Sequence, residues 1–193
     1  MSVPTKEGAE RILYKGRMIE IVEQDMLIGE KTKTFEFARR APGTRLIIPK
    51  GDQLLLTREY RTEISDWDYR LAGGKVFDSL DEYNAFLQTG EDVMPQAMIA
   101  AKKEAVEEMG IIVDSLSHIA TSHCGATIEW DLFYFVVDGF HNDSDGQHLE
   151  LGEHIEVVEV PLEQVKAMCL DGSIKEDRSV AVLLRYLHGK GEV

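Results

Sequence analysis

The sequence has few cysteines, few prolines and a deficit of positive charge. Its 193 residues include 2 cysteines and 5 prolines, and only 21 Lys and Arg residues stand against 35 Asp and Glu residues. The two cysteines, Cys124 and Cys169, form neither the disulfide framework of a small secreted domain nor a zinc cluster. The formal net charge of −14 argues against a nucleic-acid or anionic-membrane binder, because such partners need a basic surface.

Long apolar runs are also missing. No segment approaches the length that spans a bilayer, and residues 1–11 contain no apolar stretch that could serve as a signal peptide. We therefore expect a cytoplasmic protein with no membrane partner. Hydrophobic residues make up 44% of the chain and charged residues 29%, so it can bury an ordinary core.

The order of predicted elements favours an α+β fold. Residues 11–22 and 32–39 are rich in β-branched and aromatic side chains, which predicts a small N-terminal antiparallel sheet with a reversal at 27–30. Pro42-Gly43 marks a break after this sheet. We accordingly divide the chain into an N-terminal β-sheet region, residues 1–40, and a second domain, residues 41–193.

The second domain is predicted to be an α/β/α sandwich with a mixed sheet. We interpret residues 76–92 as an inserted loop or short helix, and we expect a helix from about Pro95 to Gly110. The other predicted elements are strands at 45–49, 53–57, 68–71, 111–113, 119–122, 132–137 and 155–160, and helices at 162–170 and 178–187.

Three glutamates cluster on the predicted helix that ends at Gly110. At about 100° per residue, Glu104, Glu107 and Glu108 fall on one arc. The opposite arc is apolar and carries Met98, Ile99, Ala105, Val106 and Met109. Like charges at this spacing repel, and a hard divalent cation such as Mg²⁺ would offset that repulsion. The alternative interpretation is a solvated acidic face.

The segment from Lys103 to Ile111 resembles the Nudix signature, and Ala72-Gly73-Gly74-Lys75 resembles the glycine loop that precedes the signature helix. The resemblance implies a Nudix fold in which Glu104 and Glu108, assisted by Glu107 and a backbone carbonyl at Gly73, bind Mg²⁺ or, alternatively, Mn²⁺. It also implies a catalytic role for Glu108. Lys103 replaces the usual Arg, and the spacing from glycine loop to helix is longer than usual, so that Glu91 is the nearest counterpart of the early signature glutamate.

Three further segments are similar to the ADP-ribose and GDP-mannose pyrophosphatases of this family: 55–61, 152–162 and 171–179. The resemblance implies that Arg58, Arg61 and Glu129 bind substrate. It also implies that Glu153, with Glu150 as its rival, is a loop carboxylate that binds metal or activates water. Arg70 stands where this subfamily often has Glu.

This resemblance implies an enzyme that hydrolyses the diphosphate bond of a nucleoside diphosphate sugar, giving a nucleoside monophosphate and a sugar phosphate. Residues 41–193 would be the catalytic domain, and residues 1–40 would exchange across a homodimer. Three alternatives stay open: hydrolysis of another nucleotide, such as a dinucleotide, a coenzyme or a damaged nucleotide; a non-catalytic nucleotide sensor; and an acidic interaction module. Cys124 beside His123 raises the question of thiol catalysis, but a small loop or core cysteine is the favoured interpretation.

Overall fold

The computed structural model of the protein describes residues 3–191, and within them lie ten strands and four helices. In chain order these elements are β1 (Thr5–Lys15), β2 (Glu20–Ile28), β3 (Lys31–Arg39), β4 (Gly43–Lys50), β5 (Gln53–Arg61), β6 (Asp66–Arg70), α1 (Leu80–Leu87), α2 (Met94–Met109), β7 (Ile111–Ser122), β8 (Ile128–Glu129), β9 (Leu132–Asn142), β10 (Ile155–Pro161), α3 (Leu162–Asp171) and α4 (Asp177–Gly189). No helix among these described residues is long and apolar enough to cross a membrane.

The chain divides into two compact units. The first combines the residues up to Pro42 with Phe77–Asp92 and His123–Asp131. The second contains Gly43–Val76, Val93–Ser122 and the residues from Leu132 onward. Two later segments, 77–92 and 123–131, thus belong to the same unit as the N-terminal strands. A pattern of strands and helices shows where elements begin and end, but it carries little information about which distant segments pack together.

The first unit is built on a four-stranded sheet in the order β1-β2-β3-β8. The first three strands pair antiparallel as expected, and β8 pairs parallel to β3. Residues 11–22 were expected to be one strand, which is wrong, because the chain reverses between β1 and β2. Gly16 makes this turn possible: its N–H donates to the Ile19 carbonyl at 2.9 Å, and a Cβ would lie 2.9 Å from the same oxygen.

The second unit is built on a six-stranded sheet. Its main order is β10-β5-β4-β9-β7, with β6 on β5. The pairing of β4 with β9 is parallel and the others are antiparallel, so the sheet is mixed as predicted. Phe133 and Phe135 pack in the same core cluster as α2, whereas Tyr134 between them contacts Ser179 of α4. Since successive strand residues point to opposite faces, helices cover both sides of this sheet.

Helix α2 packs on the sheet through alanines. Ala97, Ala101 and Ala105 are fully buried, and such small side chains let a helix lie close to a sheet. Glu108 follows three residues after Ala105 and is itself only 8% exposed. Ile99, in contrast, is 64% exposed. The expectation that Ile99 lies on the buried face, with the glutamates opposite, is therefore wrong, because the buried arc is set by the alanines and includes Glu108.

Candidate active site

A glycine loop lies against β4 directly after β6. The Leu46 N–H donates to the Ala72 carbonyl and the Thr44 N–H to the Gly74 carbonyl, both at 2.9 Å. Gly73 between them has a φ of +139°, and a Cβ at this position would lie 2.2 Å from the Thr44 carbonyl oxygen. Only glycine fits such a backbone approach without a shift. The glycine at position 73 therefore allows the loop to pack directly against β4.

The loop meets two glutamates of α2. The Gly73 N–H donates to the Glu108 carboxylate at 2.7 Å. A Cβ on Gly74 would lie 2.1 Å from a carboxylate oxygen of Glu104, so that carboxylate occupies the space which the missing side chain leaves. The structure thus brings together Gly73, Glu104 and Glu108, three residues for which the sequence predicts a common site.

Both carboxyl groups are held in an environment that disfavours their charge. Burial, and after it the charge of Glu107, raises the pKa of Glu104 to about 7. Burial, and after it the charge of Glu104, raises the pKa of Glu108 to about 8, although the Gly73 N–H acts in the opposite direction. Perturbed carboxyl groups of this kind cluster at functional sites.

Glu107 lies at the margin of this pair. Its side chain is 33% exposed and sits 3.6 Å from the Lys103 ammonium, whose own side chain is 57% exposed. The charge of Glu107 nevertheless contributes to the raised pKa of Glu104. Glu107 is therefore an outer member of the cluster.

Glu153 lies on the loop between β9 and β10. Its carboxylate accepts a hydrogen bond from the Glu150 N–H at 2.8 Å, and its charge contributes to the raised pKa of Glu104. The base of the loop is attached to the end of α2, since the His148 N–H donates to the Glu107 carbonyl at 2.8 Å. The exposed Glu153 side chain is thus held within electrostatic range of half-buried Glu104.

The donor chemistry of the cluster fits a hard divalent cation. Among residues 3–191 no group of three or more His, Cys, Asp or Glu side chains is already arranged around a metal position. The carboxylates of buried Glu108 and half-buried Glu104 nevertheless offer oxygen ligands, and their shared charge is what such a cation would offset. The Gly73 carbonyl, also predicted to face the metal, accepts a hydrogen bond from Arg45 Nη1 at 3.1 Å.

The two predicted substrate arginines lie on β5. Arg58 pairs with Glu156 at 2.8 Å, and its guanidinium lies 4.3 Å from the centre of the Trp67 ring. Arg61 pairs with Glu59 at 3.1 Å and with exposed Glu63. Each arginine side chain is about one-third exposed, at 34% and 35%, so each guanidinium is accessible to a ligand.

Glu129 lies in the first unit, on β8. Its carboxylate accepts from Arg39 Nε at 2.7 Å, and Arg39 also pairs with Glu10 at 2.7 Å and Glu20 at 3.3 Å. These residues line a cavity of about 960 Å³ within that unit, with Tyr83 and Trp130 among its walls. Glu129 therefore belongs to a mixed acidic and aromatic cavity of the first unit, and its role in substrate binding stays a prediction.

The sequence assigns no role to three largely buried charged residues of the second unit, Arg45, Glu59 and Glu176. Glu59 is 8% exposed, and its charge contributes to the raised pKa of Glu108. Arg45 is 7% exposed and forms a two-pronged pair with Glu176, at 2.8 and 2.9 Å. A sequence signal for Arg45 does exist, since this cation stands directly before the apolar run Leu46-Ile47-Ile48 in the same strand. Arg70 also reaches Glu176, at 3.3 Å.

The two cysteines lie in separate surroundings. Burial raises the pKa of Cys169 to about 11, which keeps this thiol protonated and unreactive. Next to Cys124, the His123 ring pairs with Asp131 at 2.8 Å. Neither arrangement points to thiol catalysis.

Comparison with known proteins places the chain among pyrophosphatases. No protein-family model matches it. It is 32% identical over 143 residues to a GDP-mannose pyrophosphatase from Citrobacter koseri, an alignment that covers 70% of this chain and 71% of the relative. It is 35% identical over 95 residues to a GDP-mannose pyrophosphatase from Yersinia pestis, which covers 48% of this chain and 46% of that protein.

The fold has a close counterpart among solved structures. A crystal structure of an ADP compounds hydrolase superposes with a TM-score of 0.72 and covers 100% of this chain and 98% of its own. The sequence identity is 18%, so this likeness concerns the fold alone.

Proposed function

The chain belongs to the Nudix family of pyrophosphohydrolases, in the branch of the ADP-ribose and GDP-mannose pyrophosphatases, and on this premise we propose that it hydrolyses a nucleoside diphosphate sugar. Water attacks one phosphorus of the diphosphate and the bridging P–O bond breaks. The products are a nucleoside monophosphate and a sugar phosphate. The observation that carries the proposal is the pair of half-buried Glu104 and buried Glu108, held against the glycine loop at Gly73 and Gly74.

Glu104 and Glu108 would hold a divalent cation, Mg²⁺ or Mn²⁺, with Glu107 and Glu153 as outer ligands. When bound, the cation supplies Lewis acidity to the diphosphate and charge that offsets the carboxylates. The protein contributes the arrangement: the Gly73 N–H fixes one oxygen of Glu108, which leaves its second oxygen available. Buried Ala97, Ala101 and Ala105 hold the helix on the sheet, and Glu108 on the same face is only 8% exposed, where electrostatic interactions are stronger.

Glu153 is proposed as the general base that takes a proton from the attacking water. A base must come within hydrogen-bonding distance of that water, and a loop residue can move to it. Glu153 is exposed, its loop is attached to the end of α2, and its charge already influences Glu104. Glu150, which donates its backbone N–H to Glu153, would serve as its support.

Arg58 and Arg61 are proposed to anchor the phosphates or the distal sugar. Guanidinium groups donate charge-assisted, forked hydrogen bonds to phosphate oxygens. Arg61 is linked to the carboxylate cluster through Glu59, whose charge contributes to the raised pKa of Glu108. Glu129 is proposed as a further substrate-binding residue.

We also propose that the protein works as a homodimer through its N-terminal sheet. Apolar side chains on β1 and β3 are unusually exposed for a sheet, including Ile12 and Leu13 at 52% and Tyr14 at 63%. Apolar patches of this kind mark interaction surfaces. Light scattering after gel filtration should give about twice the monomer mass; a monomer at micromolar concentration would contradict the proposal.

A substrate panel tests the activity. ADP-ribose, GDP-mannose, NADH, diadenosine polyphosphates and 8-oxo-dGTP are each incubated with the protein and Mg²⁺ or Mn²⁺, and the cleavage products are quantified. We expect the two nucleoside diphosphate sugars to be cleaved with the highest kcat/KM. A preference for a dinucleotide or a damaged nucleotide would change the substrate class. Binding without any product over hours would indicate a sensor.

A further inference from the structure

Arg45 places a buried positive charge beside the carboxylate cluster. The residue lies on β4 between buried Thr44 and Leu46 and is 7% exposed. Its Nη1 donates to the Thr44 carbonyl at 2.9 Å and to the Gly73 carbonyl at 3.1 Å. A guanidinium is always charged in proteins, so this cation is a permanent part of the site.

The Gly73 carbonyl is therefore already engaged by a cation. The loop does not depend on this contact for its shape. Backbone bonds join Ala72 and Gly74 to β4, and the Gly73 N–H joins the loop to Glu108. Arg45 thus adds a positive charge and donates to the Gly73 carbonyl oxygen, while the other hydrogen bonds hold the backbone of the glycine loop.

Glu176 determines how strongly the positive charge of Arg45 acts on the carboxylates of Glu104 and Glu108. Its two carboxylate oxygens accept from Arg45 Nε and Nη2 at 2.8 and 2.9 Å, on the side of the guanidinium away from the Nη1 that contacts Gly73. Glu176 also accepts from Arg70 at 3.3 Å and from the Ser179 hydroxyl. Its negative charge partly cancels that of Arg45.

We propose that Arg45 is a positioning residue that acts as a fixed cation at the glycine loop: it occupies the Gly73 carbonyl and weakens divalent-cation binding by Glu104 and Glu108, and Glu176 moderates this effect. The inference rests on the proposed function, because it concerns the metal of that site. Its consequence is that the substrate-free protein holds its metal weakly. The diphosphate, which brings its own negative charge, then favours cation uptake together with the substrate.

Two variants should shift metal affinity in opposite directions. Arg45→Met removes the repelling charge at similar side-chain length, and Mn²⁺ binding should tighten about tenfold, as expected for one partly screened unit charge near a divalent ion. Glu176→Gln leaves the charge of Arg45 uncancelled, and binding should weaken several-fold. A merely structural role for the pair would weaken binding in both variants.

The measurement is an electron paramagnetic resonance titration of Mn²⁺ into substrate-free protein at about pH 9, where free carboxyl groups are ionised and protons compete little. Lys50→Met is the matched control: it removes a cation from the same strand, but Lys50 is exposed and pairs with exposed Glu159. The Kd for Mn²⁺ should stay unchanged in this control.

Each outcome decides between the two proposals. If the unaltered protein binds Mn²⁺ and cleaves substrate, but both variants weaken binding or neither changes it, the role of Arg45 is refuted and the proposed function stands. If the unaltered protein neither binds Mn²⁺ nor cleaves any substrate, the proposed function fails. Should Arg45→Met not fold, Glu176→Gln can still refute the inference, since unchanged or tighter binding in that variant would overturn it.

Discussion

Glu108 and Glu176 are both largely buried carboxyl groups of the second unit, yet their protonation differs. Burial raises the pKa in both environments. Around Glu108 the charges of Glu104 and Glu59 add to that effect, and its pKa reaches about 8. Around Glu176 the hydrogen bonds and charge of Arg45 overcome burial and lower the pKa to about 2.

The pKa values of the two carboxyl groups differ because the groups that contact them differ. Glu176 has a two-pronged arginine on its carboxylate, so its charge is matched within the protein. Glu108 has a backbone N–H on one oxygen and the like charges of Glu104 and Glu59 nearby, and the charge of Arg45 offsets them only in part. A buried carboxylate that is paired with a cation of the protein joins secondary-structure elements. A buried carboxylate without such a matching charge is a candidate for ligand binding or catalysis.

The largest expected effect is on catalysis. Glu108→Gln should lower kcat for the best nucleoside diphosphate sugar by about a hundredfold or more, because Lewis-acid stabilisation contributes several kcal/mol and each 1.36 kcal/mol is about tenfold in rate. The fold should be retained, since a neutral glutamine can still accept from the Gly73 N–H. Steady-state kinetics with saturating Mg²⁺ measures the change, and exposed Glu163→Gln on α3 is the control. Near-normal turnover in Glu108→Gln would exclude Glu108 from the site.

Glu176→Gln should instead act on stability. It leaves the buried Arg45 charge without its anion, and breaking a buried pair in this way costs about 3 kcal/mol. Urea unfolding followed by circular dichroism measures the free energy of unfolding. Glu159→Gln, which removes the exposed partner of Lys50, should change it by less than about 1 kcal/mol. Equal losses in the two variants would show that the buried pair of Arg45 and Glu176 stabilises the fold no more than an exposed pair does.

The third prediction concerns pH. In the folded protein the pKa values of Glu104 and Glu108 are raised to about 7 and about 8, whereas an unfolded glutamate titrates near about 4.3. Between these values the folded state holds more protons than the unfolded state, so stability must fall as pH rises through this window. Glu176 stays ionised in both states above about pH 5.5 and contributes no slope there.

We therefore expect the Tm of metal-free protein to fall between about pH 5.5 and pH 8.5, and added Mg²⁺ to recover part of the loss at the upper end. The double variant Glu104→Gln/Glu108→Gln should have a flatter profile. Differential scanning calorimetry in EDTA gives the curves. A double variant with the same slope as the unaltered protein would show that other groups cause it.

The smallest effect is expected at Lys103. Its ammonium is 3.6 Å from Glu107 and both side chains are partly exposed, so the pair contributes about 0.5 kcal/mol or less. Lys103→Gln should therefore leave the free energy of unfolding almost unchanged in urea titrations. A loss comparable with that of Glu176→Gln would mean that Lys103 neutralises the cluster as Arg45 neutralises Glu176.

The sequence predicts the second unit better than the first. Local signals mark its elements: Pro95 lies in the first turn of α2, Gly110 ends that helix with a φ of +62°, and apolar runs mark β4 and β9. In the first unit, β-branched and aromatic side chains occur on both sides of the turn at Gly16, so the composition of residues 11–22 does not mark it. That turn depends on a single backbone approach, which a pattern of side chains does not record.

Prediction of the candidate active site from the sequence has the same limit. Gly73, Glu104 and Glu108 carry a recognisable motif, and the structure places them together. Arg45 belongs to no motif, whereas Glu59 and Glu176 lie in the segments 55–61 and 171–179 but are assigned no role there. The pair between Arg45 and Glu176 forms only in the folded chain. Long-range charge pairing depends on tertiary structure, which is why sequence analysis misses it.

Carboxyl-carbon NMR of Glu108 and Glu176 tests the central contrast most directly. Both side chains are labelled with ¹³C and titrated between about pH 5 and pH 9, with and without Mg²⁺. We predict that Glu108 titrates near about 8 in metal-free protein and loses this titration when Mg²⁺ is added, while Glu176 remains ionised in both samples. A Glu108 that is fully ionised at about pH 6 without metal, or whose titration Mg²⁺ does not change, would contradict the account.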